Sequence, residues 1–213
     1  MGIGAYYFRF RLLSINFEVM KKSGILFISL VVMAIGFWSF TNFTNEKVSA
    51  TQEVANDKAV EIEWITIEEA IERQKTEARY WIIDVYTDWC GWCKRMDATT
   101  FKDPHVAAEI NKNFYAVKFD GEAKRDITVD GKTYKFVANG KRGYHELAAT
   151  LLNGKLSYPS IAYMSDEGGL IQTIPGFKSA QDIHPILQYF GTGAYKTTAW
   201  EAFQGSYASP YSE

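Results

Sequence analysis

One stretch of the chain is apolar without a single charge: Gly24 to Phe40, Gly-Ile-Leu-Phe-Ile-Ser-Leu-Val-Val-Met-Ala-Ile-Gly-Phe-Trp-Ser-Phe, directly after Lys21-Lys22. Its length lies at the lower edge for a membrane-spanning helix. The lysines before it, set against Asn42, Asn45 and Glu46 after it, orient its charged end toward the cytoplasm. The pattern predicts a retained signal-anchor helix over 24–40, or a secretion signal if the small-residue run Val48-Ser49-Ala50 is cleaved. Met20-Lys21-Lys22 has the shape of a chain start, so residues 1–23 are a cytoplasmic or mis-assigned N-terminus. Residues 41–57 are polar and lack either helical or strand periodicity, which makes them a linker.

Beyond the linker the pattern alternates between two periods. Thr66-Ile67-Glu68-Glu69 is a capping box, predicting a helix from Ile67 to about Lys75. Tyr80-Trp81-Ile82-Ile83-Asp84-Val85-Tyr86 is β-branched and aromatic, as in a strand buried on both faces, with one carboxylate inside it. Helical spacing runs from Cys93 through Met96 and Phe101. Asp103-Pro104 starts a further helix to about Asn113. Phe114 to Phe119 returns as a strand, parallel to the first because the crossover is long enough. Ile127 to Tyr134 surrounds Asp130-Gly131 as a hairpin. It belongs to an insertion over about 121–143. A helix follows around Tyr144 to Leu152, then two antiparallel strands, Tyr158–Met164 and Gly169–Ile174. Ser179 caps a last helix to about Phe190. The tail 193–213, rich in Gly, Tyr and Ser, offers no predictable element. The order predicts an α/β domain over 58–192 with a central mixed sheet flanked by helices.

Composition narrows the function. The 213-residue chain has 23 basic and 25 acidic residues and no basic footprint, so nucleic acid is not an expected partner. It has only two cysteines, Cys90 and Cys93, in Trp89-Cys90-Gly91-Trp92-Cys93-Lys94. A structural disulfide stabilises chiefly by closing a long loop, and a two-residue gap closes almost none. A Cys-x-x-Cys placed where a strand gives way to a helix has a different logic. The helix dipole and free N–H groups favour a thiolate at the first sulfur, and the second lies deeper. Cys90 is then the nucleophile and Cys93 the resolving thiol. A zinc site would need further ligands, and His105, His145 and His184 are dispersed without a ligand motif. No metal and no cofactor beyond the Cys90–Cys93 disulfide is expected.

The surroundings suggest further roles. Asp84, in an apolar strand, would have its pKa raised by desolvation toward that of a general base for Cys93. Lys118 on the adjacent strand is a candidate partner for it. Pro159, after Tyr158, sits where a cis bond is tolerated, and a cis bond facing the cysteines would expose the Tyr158 backbone for strand-like pairing with a client. Trp89, Gly91 and Trp92 complete the candidate substrate surface, the tryptophans as apolar contacts.

Residues 60 to 190 resemble the thioredoxin superfamily. The resemblance is carried by Asp84 six positions before the first cysteine, the Trp89–Lys94 core, Lys118, Pro159 and Gly176. Asp84 to Cys90, Thr100-Phe101-Lys102-Asp103-Pro104-His105-Val106 and Gly176-Phe177 are similar to the C-terminal periplasmic domain of the transmembrane thiol:disulfide interchange reductases. The resemblance implies a thioredoxin-like fold and disulfide exchange with exported proteins on the periplasmic side of the inner membrane. The chain has no multi-span segment to carry electrons across a bilayer, which implies an upstream membrane redox partner. Gly91-Trp92 stands where strongly reducing members have Gly-Pro, leaving the direction of electron flow open. Two other functions fit the sequence: a client-binding module without turnover, and a metal carrier using the cysteine pair.

Overall fold

The structure, a computed structural model, describes residues 60–211. The predicted anchor over 24–40 and the linker over 41–57 lie outside the described residues. Among the described residues no helix is long and apolar enough to cross a membrane.

The capping boxes act as written in the sequence. Thr66 N donates to Glu69 Oε2 at 2.7 Å and Glu69 N donates to Thr66 Oγ1 at 3.1 Å. In chain order the elements are β1 (Trp64–Ile65), α1 (Ile67–Gln74), β2 (Tyr80–Tyr86), α2 (Gly91–Ala98), α3 (Pro104–Asn113) and β3 (Phe114–Asp120). They continue as β4 (Ile127–Val129), β5 (Lys132–Tyr134), β6 (Phe136–Asn139), β7 (Arg142–His145), α4 (Glu146–Leu151), β8 (Ser160–Met164), β9 (Leu170–Pro175), α5 (Ala180–Gly191) and α6 (Trp200–Ser206). Asp103 caps α3 by accepting from the amides of His105 and Val106, both at 3.0 Å, with Pro104 in the first turn where no amide donor is needed.

Five strands form one sheet in the order β1-β3-β2-β8-β9. β2 runs parallel to β3 and antiparallel to β8, which makes the sheet mixed. Alternation along β2 sends Trp81, Ile83 and Val85 into a layer with α1 and α4 residues such as Ile67, Leu147 and Leu151. Ile82 goes the other way, to Met96 of α2, Val106 and Ile110 of α3, and Ile183 and Leu187 of α5. Both faces of the sheet are thus covered, and the strand reads as apolar throughout for that reason. The result is the expected thioredoxin-like arrangement.

Several boundaries differ from those predicted. The helix carrying the cysteines ends at Ala98, and Thr100–Lys102 forms a separate 3₁₀ turn. The insertion contains two hairpins: Gly140-Lys141 turns β6 into β7, and Tyr144 and His145 belong to that strand, so α4 starts at Glu146. The strand expected from Tyr158 begins at Ser160. Residues 194–196 form a 3₁₀ turn, and α6 brings Trp200 and Phe203 onto Tyr189 of α5, with ring centroids 5.1 Å apart in both pairs.

Candidate functional site

β2 delivers the chain to the site, and α2 leads it away. Cys90 is the N-cap of α2: its backbone is extended, its sulfur accepts a hydrogen bond from Cys93 N at 3.1 Å, and its own amide donates to Thr87 O at 3.0 Å. The sulfur therefore sits at the positive end of the helix, and no acidic residue in the first turn offsets the dipole. Cys90 and Cys93 are joined in a disulfide, with side chains almost covered at 4% and 2% exposure. Gly91, between them, opens α2 with free space where a side chain would stand.

Asp84 is 1% exposed on β2, directly across from Lys118 on β3. Lys118 Nζ donates to Asp84 Oδ2 at 2.6 Å and also bonds Asp97 Oδ1 of α2. A lysine shared in this way places Asp84 on the sheet face that α2 covers, beneath the helix that carries Cys93. Burial pushes the Asp84 carboxyl up to about 6, although Lys118 pulls the other way. Burial alone would lower the Lys118 ammonium, but Asp84 and Asp97 outweigh it and hold it above the usual lysine value. The ammonium also lies 5.0 to 5.4 Å from the ring centres of Trp64, Tyr86 and Phe101. Among the described residues Asp84 Oδ1 has no hydrogen-bond partner. A carboxyl raised toward neutrality in this way, with one oxygen free of hydrogen bonds among the described residues, can take up and release a proton.

The rim is aromatic. The Tyr158–Pro159 bond is cis, and Pro159 O accepts from Gly176 N at 2.8 Å, tying the start of β8 to the end of β9. Trp89 and Trp92 flank the disulfide at 50% and 57% exposure, so neither is a core residue. Trp89 stands edge-on to Tyr158 with centroids 6.0 Å apart, and Trp92 leans on Phe177 at 5.5 Å. Gly121 passes beneath Tyr158 so closely that a Cβ there would lie 2.6 Å from the phenol oxygen.

These contacts tie Asp84 and Lys118 to α2, Trp89 to Tyr158 before the cis Pro159, and Trp92 to Phe177. Sequence reasoning missed Asp97 and Phe177. The first has a legible signal, lying one helical turn after Cys93; the second depends on how β9 folds back. The histidines are less scattered than their sequence positions suggest. The rings of His105 and His184 are 6.5 Å apart, and His184 Nδ1 is 2.7 Å from the Tyr207 hydroxyl. His145 is wholly buried, with Nδ1 accepting from Leu147 N at 3.2 Å. Among the described residues no group of three or more His, Cys, Asp or Glu side chains is placed to hold a metal ion.

Comparison with known proteins gives a consistent result. The family model Thioredox_DsbH, described as a protein of unknown function, DUF255, matches residues 43–183. Over 127 residues the chain is 28% identical to the thiol:disulfide interchange protein DsbD of Vibrio vulnificus (strain CMCP6), a match covering 56% of this chain and 20% of that protein. The chain therefore spans about one fifth of the length of that relative. Among solved structures it is similar to a DsbH oxidoreductase, with 15% identity and a TM-score of 0.45 over 66% of this chain and 88% of the other. It is also similar to the reduced C-terminal domain of Neisseria meningitidis DsbD, with 20% identity and a TM-score of 0.39 over 58% and 96% of the respective chains.

Proposed function

Because this chain belongs to the Thioredox_DsbH family, we propose that it is an extracytoplasmic thiol-disulfide oxidoreductase, held to the membrane by residues 24–40, that exchanges disulfides with exported proteins. The observation that carries this reading is the placement of the Cys90–Cys93 disulfide at the start of α2, above the buried Asp84–Lys118 pair. The charged stretch ahead of the apolar run supports export and anchoring, as does the likeness to a thiol:disulfide interchange protein.

In the reduced protein the Cys90 thiolate attacks one sulfur of a client disulfide. That S–S bond breaks, the departing client sulfur leaves as a thiolate and takes a proton, and a Cys90–client mixed disulfide forms. Cys93 then loses its proton to Asp84 and attacks the Cys90 sulfur. The second client sulfur leaves as a thiolate and takes up a proton as Asp84 releases the one it accepted, and the Cys90–Cys93 disulfide seen in the structure is restored. Two electrons and two protons reach the client. An upstream dithiol, the membrane redox partner, returns them to the pair. Reversed, the same steps oxidise a client dithiol, and the potentials of the two couples set the direction.

The test is to replace Cys93 by Ser. The variant should accumulate mixed disulfides through Cys90 with exported proteins, resolved on non-reducing gels and lost when Cys90 is also replaced. Clients recovered only without a covalent link would show a binding module instead. Stoichiometric copper or zinc bound by the reduced protein, with no such adducts, would show a metal carrier.

A further inference from the structure

The insertion differs in charge from the rest of the chain. Residues 121–143 hold six basic and three acidic residues, in a protein whose net charge is −2. Arg125 pairs with Glu68, and Lys135 lies 3.8 Å from Asp126. Among the described residues Lys124, Lys132, Lys141 and Arg142 have no carboxylate partner.

The second hairpin of the insertion is firmly rooted. His145, at its base, donates its amide to Gly121 O at 2.7 Å, and its Nε2 is 3.0 Å from Arg125 O. Lys135 N donates to Glu146 Oε2 at 2.8 Å. At the other end, Arg142 pairs across the turn with Asn139, and its guanidinium lies 4.1 Å from the centre of the Trp89 ring. Trp89 is the neighbour of Cys90 and half exposed. On the opposite flank Arg95 lies 5.5 Å from the Trp92 ring centre and 5.8 Å from that of Phe177. A guanidinium over an aromatic ring keeps its N–H groups available for a carboxylate. Asp88, Asp120 and Glu122 lie on the Tyr158 side, and among the described residues none of them forms an ion pair with either arginine.

We propose that the β6–β7 hairpin is a client-selecting arm: Arg142 on Trp89, with Arg95 on Trp92 opposite, receives the carboxylates of an acidic segment that flanks the client's reactive cysteine. This rests on the oxidoreductase reading of Cys90 and Cys93. The flat rings hold each guanidinium beside the disulfide, and a two-pronged contact to a carboxylate fixes the client segment as well as attracting it. Selection of this kind weakens as salt rises.

The test uses the reduced full chain, regenerated by dithiothreitol, and three disulfide peptides identical except for Glu, Gln or Lys on either side of the cysteine. The readout is the ratio of kcat/KM for the Glu peptide to that for the Lys peptide. At low salt the wild-type ratio should be about tenfold, shrinking as salt is added. In Arg142→Gln and Arg95→Gln it should fall toward one, whereas Arg142→Lys should keep part of it by charge alone. A wild-type ratio near one, or a ratio unmoved in both glutamine variants, overturns the arm while turnover of the peptides leaves the oxidoreductase reading standing. Failure to turn over any peptide, together with absence of mixed disulfides in Cys93→Ser, overturns both.

Discussion

Replacing Asp84 by Asn removes the buried charge while nearly preserving shape, and Lys118 retains Asp97 as a partner. Burial pushes the Asp84 carboxyl from 3.8 to about 6. The fold then holds this proton more tightly than the unfolded chain does. Stability from this group is full below the unfolded value and is lost as the pH rises through the folded one. From acid to neutral pH the loss amounts to roughly 3 kcal/mol. Asn has no charge to bury, so the unfolding free energy of Asp84→Asn minus that of the wild type should climb by about that amount between about pH 4 and about pH 7. Urea unfolding of both proteins, with the disulfide intact, measures it. Other groups titrate nearby: Asp120 is raised by burial, while Glu68 is lowered because bonds to Arg125 and the backbone outweigh its burial. They act in both proteins and cancel in the difference. A difference that stays flat, or falls as pH rises, would refute the claim that the fold disfavours the Asp84 carboxylate.

The same substitution should slow decay of the Cys90–client mixed disulfide by about a hundredfold at neutral pH, with its formation less affected, because a general base acts on the resolving thiol; quenched-flow trapping distinguishes the two phases. Gly143→Ala would place a Cβ 2.5 Å from the Val137 carbonyl oxygen and against the Phe136 ring. The hairpin must shift, and a loss of about 1–3 kcal/mol in denaturant unfolding is expected, with faster amide exchange along β6 and β7. Tyr207→Phe removes the hydroxyl that meets His184 and should cost about 1 kcal/mol in the same assay. Burial lowers the His184 pKa, the reverse sense to Asp84, so its contribution to stability is lost as pH falls through the histidine range. A His184→Asn variant should show a weaker loss there.

The elements that the sequence marks well are those closed by local chemistry. Thr66, Asp103 and Ser179 accept hydrogen bonds from amides two or three residues ahead, so three helix starts were readable from a few letters. The single carboxylate in β2 stood out because its neighbours are apolar, and Lys118 followed from the parallel register. What stayed hidden depends on distant parts of the chain. Phe177 meets Trp92 only after β9 turns back past Pro159. Tyr144 and His145 have helical neighbours in sequence, yet pair with Val137 and Phe136 because the Gly140-Lys141 turn folds the chain there. The tail lacks periodicity, and its order comes from rings laid on α5 and from Tyr211 donating to Asp103 at 2.8 Å.

In the closed state the two sulfurs are nearly covered while the tryptophans beside them are open to solvent. A small thiol diffusing past finds little sulfur to strike, whereas a protein segment gripped by the rim is held at the point of attack. On the exchange chemistry proposed above, the oxidation state of the pair would follow the proteins that dock on it, with small thiols giving electrons to it, and small disulfides taking them from it, more slowly than docked clients do.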